Sequence, residues 1–69
     1  MDIVDQELQG RASEIRRGLE LLFKTNMKVS DWDIPEPDDQ EIAQKLLKIF
    51  QDELAQIAQD VKDGKYKNY

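Results

Sequence analysis

The spacing of apolar residues between positions 43 and 61 constrains the fold more than any other feature of the chain. Apolar side chains recur there at alternating steps of four and three residues, at Ala43, Leu47, Phe50, Leu54, Ile57 and Val61. This spacing places one apolar side chain per turn on a single face of an α-helix. Asp38 suits the N-cap, with Glu41 three residues later, and Gly64 suits a left-handed stop. We therefore predict a helix from about Asp39 to Asp63.

An earlier segment repeats the same period. Its apolar residues are Leu8, Ala12, Ile15, Leu19 and Leu22. Opposite charges four residues apart, at Glu7 with Arg11, Arg16 with Glu20 and Glu20 with Lys24, add weak support for a helix. We predict this helix from about Ile3 to Thr25. Residues 26–37 then form a linker, residues 64–69 form a flexible tail, and residues 1–69 make one domain.

Chain length determines how two such helices can be stabilised. They would be roughly 35 and 38 Å long, so they can lie side by side as an antiparallel hairpin. A chain of 69 residues is close to the size at which one core barely offsets the loss of chain entropy. It has no cysteine or histidine to supply a disulfide or a common zinc site. We therefore predict an all-α fold, an antiparallel two-helix hairpin that pairs into a homodimeric four-helix bundle.

The residue inventory also excludes several classes of function. Without histidine or cysteine, imidazole acid–base chemistry and thiolate chemistry are absent, and no glycine-rich phosphate loop is present. We expect no enzyme activity, no cofactor and no metal. No apolar run reaches the length of a membrane span, and the acidic N-terminal sequence is unlike a signal peptide, so we expect a cytoplasmic protein without membrane contact. A net charge of −5 disfavours nucleic acid as a partner.

Apolar residues beyond the two stripes are concentrated near the linker. We call this surplus the apolar arc and expect it to bind the partner: Leu21, Phe23, Trp32, Ile34, Ile42, Leu46 and Ile49. A two-helix seam needs only the narrow stripes, so the arc requires another cover. In one interpretation the linker itself folds back over it, through Met27, Val29, Trp32 and Ile34. In the other, the arc is a docking surface for a second copy of the chain or for another protein.

The segment 31–41 holds six acids, two prolines and the only tryptophan. A calcium loop starting at Asp31 would put Glu36 where glycine is needed and Ile42 where a glutamate is needed, so the calcium interpretation fails. Trp32 has two alternatives. Tryptophan is enriched among the residues that dominate protein interfaces, but Trp32 could also pack on its own hairpin.

These patterns favour a small acidic helical protein-binding module, an adaptor, inhibitor or assembly subunit, that acts through the apolar arc. The expected partner is a second copy, another protein, or both. An alternative hypothesis is an acidic nucleic-acid mimic whose linker acids occupy the basic groove of a DNA-binding protein. A third is an RNA-binding module that uses Arg11, Arg16 and Arg17 together with the tyrosine-containing tail.

Overall fold

A computed structural model describes residues 2–69, and these residues contain two α-helices and no β-strand. Helix α1 spans Ile3–Asp33 and helix α2 spans Asp39–Lys62. They belong to two compact units, residues 1–35 and residues 36–69. The prediction of an all-α chain with two helices is confirmed.

Helix α1 begins at a side-chain cap. The Asp2 carboxylate accepts a hydrogen bond from the Asp5 backbone N–H at 2.8 Å, which satisfies one of the amides that a helix start leaves without an intrahelical partner. Two of the three predicted ion pairs of α1 are confirmed, and Glu20 pairs with Arg16 rather than with Lys24. Arg11 lies 3.5 Å from Glu7 and Arg16 lies 2.6 Å from Glu20. All four side chains are exposed, so each pair stabilises the helix only weakly.

The end of α1 corrects the predicted boundary. We expected the helix to stop near Thr25, but it continues to Asp33, so most of the predicted linker 26–37 is helical. Nothing in residues 26–33 breaks a helix, because the first proline is Pro35. Proline disfavours helical geometry in the preceding residue, and Ile34 is accordingly extended, with φ −109° and ψ 121°. The connection between the helices therefore consists of residues 34–38 alone.

Helix α2 has nearly the predicted limits. The Asp38 carboxylate accepts hydrogen bonds from the backbone N–H groups of Gln40 and Glu41, at 3.0 and 3.2 Å, which confirms Asp38 as the N-cap. Acidic residues in the first turn also lie at the positive end of the helix dipole. The helix ends at Lys62, one residue before the predicted end.

A Schellman motif follows α2. Gly64 has φ 83°, the Lys65 N–H donates to the Asp60 carbonyl, and the Gly64 N–H donates to the Val61 carbonyl. The predicted left-handed stop at Gly64 is thus confirmed. Residues 63–68 form turns, and the Tyr66 and Tyr69 rings meet edge to face with their centroids 5.6 Å apart. The predicted flexibility of this tail remains a prediction.

Neither helix contains a fully buried residue. Among residues 2–69 no side chain, apolar or polar, is fully buried. The least exposed residues of α1 lie in its C-terminal third, and those of α2 lie mainly in its N-terminal half. The apolar side chains that should hold the fold together are therefore largely accessible.

Candidate protein-binding surface

The broadest apolar face lies on the N-terminal half of α2. Ile42, Leu46 and Ile49 follow one another at steps of four and three residues, so helix geometry places them on one side of α2. This row lies next to the stripe residues Ala43 and Leu47, and the combined apolar surface is about twice the width of a single stripe. Ile42 and Leu46 are half-buried, and Ile49 is 55% exposed. Three of the seven predicted arc residues therefore share one face.

The C-terminal half of α2 is different. Beyond Phe50 the apolar residues larger than alanine reduce to the single stripe of Leu54, Ile57 and Val61, each of them exposed. At the positions that continue the row of Ile42, Leu46 and Ile49, the chain has Glu53, Gln56 and Asp60. The Gln56 side-chain amide donates to the Asp60 carboxylate at 3.2 Å. The change from apolar to polar limits the wide apolar face to roughly three turns of the helix.

The predicted arc residues of α1 do not share one face. Leu21 and Trp32 are eleven residues apart, which is just over three full turns, so both lie on one side of α1. Phe23 is two residues from Leu21, so helix geometry directs it toward the opposite side. Phe23 is half-buried, whereas Leu21 and Trp32 are exposed. The structure thus separates α1 residues that the sequence interpretation had grouped together.

Trp32 has a helical rather than a loop position. It lies in the last turn of α1 and is 81% exposed. The idea that residues 26–33 fold back as a loop over the arc is wrong, because Met27, Val29 and Trp32 belong to the helix. Ile34 is the C-cap, and its N–H donates to the Ser30 carbonyl at 3.1 Å. Trp32 is therefore an accessible aromatic side chain at the end of a helix, with acidic neighbours at Asp31 and Asp33.

The connection between the helices contains one strained residue. Glu36 has φ 51°, in the left-handed region that residues other than glycine seldom adopt. It precedes Pro37, which itself restricts the backbone of the residue before it. Such a conformation costs of order 1–3 kcal/mol and persists only where its surroundings demand it. The backbone conformation of Glu36 therefore lowers the stability of the five-residue connection 34–38.

Charged side chains of α2 pair along the helix on the side away from the wide face. Lys48 lies 2.6 Å from Asp52, and Lys45 lies 3.8 Å from Glu41. A further pair, Lys65 with Asp60 at 3.5 Å, lies on the same side as the wide face but beyond its end. These pairs stabilise α2 weakly and leave its wide face apolar.

Metal binding and membrane insertion have no support in the described residues. Across the part of the chain that the structure describes, no three His, Cys, Asp or Glu side chains are grouped so that they could hold a metal ion. Neither helix is both long enough and apolar enough to cross a membrane, counting the described residues.

One residue of interest was missed in the sequence. Asn26 lies four residues after Leu22 and three before Val29, so it continues the apolar stripe of α1. It is half-buried, and its side-chain amide donates to the Leu22 carbonyl at 2.9 Å. The alternating steps of four and three residues place Asn26 on the stripe, but a polar residue at such a position is also typical of a helix end.

Comparison with other proteins adds no relative. No protein-family model matches the chain, and no curated protein or solved structure matches it.

Proposed function

We propose that this chain is a small acidic assembly subunit that binds a second copy of itself through its helix faces. In this proposal α1 and α2 form an antiparallel hairpin, and two hairpins pair into a homodimeric four-helix bundle. The observation that supports it most strongly is that none of the residues 2–69 is buried. A chain whose apolar periodicity is this regular needs another surface to complete its core.

The width of the apolar face on α2 supports the same arrangement. A helix in a four-helix bundle contacts more than one neighbour, so its apolar face is wider than a two-helix seam. The single stripe of α2 suits one neighbour. With the added row of Ile42, Leu46 and Ile49 the face is wide enough for two neighbours, and we assign its exposed part, which includes Leu47, Ile49 and Leu54, to the other copy of the chain.

The apolar surface that remains accessible is large enough to support association. Within the two helices, eight leucine and isoleucine side chains are 43–55% exposed: Leu8, Ile15, Leu19, Leu22, Leu47, Ile49, Leu54 and Ile57. Fully burying one such side chain is worth about 1.5–3 kcal/mol, so burying the remaining half of all eight is worth roughly 6–12 kcal/mol per chain. Two chains together gain about twice that amount. Association itself costs about 4–15 kcal/mol, so the gain is of the size needed to offset that cost.

Sedimentation velocity on Ile49→Asp tests this function. Ile49 is half-exposed within one chain, so a carboxylate there is expected to leave the helix intact and to weaken only the contact with the second copy. Ala55→Asp is the matched control, because Ala55 is also exposed in the middle of α2 but lies off the apolar face. We expect Ile49→Asp to sediment as a monomer and both Ala55→Asp and the wild type to sediment as dimers.

Two other results would contradict self-association through this face. A wild-type monomer that sediments unchanged with either substitution would overturn the proposal. A wild-type monomer that forms a complex with a different purified protein, sensitive to Ile49→Asp alone, would assign the face to that protein instead of to a second copy.

A further inference from the structure

Asn26 interrupts an otherwise apolar stripe on α1. From Leu8 to Val29, every other position at the alternating steps of four and three is apolar. Asn26 is nevertheless less exposed than its stripe neighbours Leu22 and Val29, which are 53% and 47% exposed. The residue is thus polar at a position where the rest of the helix places apolar side chains.

The hydrogen bonds of Asn26 are only partly used along its own helix. An asparagine amide offers two N–H donors and a carbonyl that accepts two hydrogen bonds. One donor is engaged by the Leu22 carbonyl at 2.9 Å. When the stripe is covered by a second copy, the other donor and the carbonyl lose water. A buried polar group without a partner costs free energy, so the arrangement that covers Asn26 with a polar group is favoured over those that do not.

We propose that Asn26 is the specificity-determining residue of self-association. It fixes the register and the number of chains by requiring a polar group from the second copy opposite it. A single asparagine on an apolar helical seam is known to act in this way, at a cost in stability. The inference rests on the proposed function, because it concerns the same covered stripe.

A purely structural role makes the opposite prediction. If Asn26 serves only its bond to the Leu22 carbonyl, replacing it removes that bond and lowers stability, and the number of chains in the assembly stays the same. If it sets specificity, replacing it with leucine raises stability and makes the number of chains less uniform. The number of chains in the assembly, read together with the sign of the stability change, therefore separates the two roles.

The experiment compares the wild type with Asn26→Leu and Thr25→Leu. Thr25 is the matched control, because its hydroxyl donates to the Leu21 carbonyl at 2.9 Å in the same back-bonding pattern, while its side chain is exposed. Thermal unfolding and sedimentation equilibrium are measured on the full chain. We expect Asn26→Leu to raise the melting temperature by about 4–8 °C and to sediment as a mixture of assemblies, and Thr25→Leu to sediment as one species like the wild type.

Three results would overturn the inference. A wild type that dimerises while Asn26→Leu stays a uniform dimer overturns the specificity role alone and leaves the proposed function standing. A lowered melting temperature in Asn26→Leu without a mixture assigns the residue a structural role. A wild type that is monomeric throughout overturns the proposed function, and the inference with it.

Discussion

Replacement of Leu54 by alanine provides a quantitative test of how the stripe of α2 is covered. Leu54 is 53% exposed, so about half of its side-chain surface is buried within one chain. Full burial of a leucine is worth about 1.5–3 kcal/mol, and half of that is roughly 0.8–1.5 kcal/mol. If the second copy covers the rest, the side chain behaves as a core leucine, whose truncation to alanine costs about 2–5 kcal/mol. We expect a loss of about 3 kcal/mol.

The assay is urea denaturation followed by far-ultraviolet circular dichroism, at one fixed protein concentration because the stability of a dimer depends on concentration. Ile3→Ala is the control, since Ile3 is 82% exposed and lies off the stripe, and we expect it to change the free energy of unfolding by less than about 0.5 kcal/mol. A loss of no more than about 1.5 kcal/mol for Leu54→Ala would refute the reasoning, because the half of the side chain buried within one chain accounts for that much.

Three further predictions concern local features at the ends of α2 and in the connection between the helices, each tested by thermal unfolding. Gly64→Ala is expected to destabilise the chain by about 1–2 kcal/mol, because φ 83° is unfavourable for a residue with a Cβ atom. Gly10→Ala, in open space on α1, is expected to stabilise it by about 1 kcal/mol, and equal effects at the two glycines would contradict the Schellman assignment. Asp38→Ala is expected to cost about 1 kcal/mol through loss of the N-cap, and an unchanged melting temperature would show that the cap contributes nothing. Glu36→Gly is expected to raise stability by up to about 1 kcal/mol by relieving its left-handed backbone, whereas Glu36→Ala is not, and equal melting temperatures for the two variants would count against strain at this position.

The boundaries of α2 could be predicted from the sequence because local signals mark both ends. The Asp38 carboxylate caps the first turn and Gly64 takes the left-handed conformation, and each depends only on residues a few positions away. The end of α1 could not be predicted from apolar spacing, since Asn26 interrupts the apolar pattern of a segment that remains helical. Pro35 was the better signal, because the restriction it imposes on Ile34 is independent of hydrophobicity.

The candidate surface could be predicted on α2 but not on α1. Steps of four and three residues correctly place Ile42, Leu46 and Ile49 on one face of α2, because that grouping follows from helix geometry. The grouping of Phe23 with Leu21 failed, since it was based on closeness in sequence rather than on helical position. The spacing of apolar residues does not identify a partner for the α2 face, because half-exposed apolar side chains can be buried by any complementary surface.

The mass of the wild-type chain at sedimentation equilibrium tests the central claim most directly. We predict a single species of twice the chain mass of 8.1 kDa at micromolar concentration, dissociating on dilution together with loss of helical circular dichroism. A mass of 8.1 kDa at every concentration, with the helical signal retained, would contradict the claim that a second copy completes the fold.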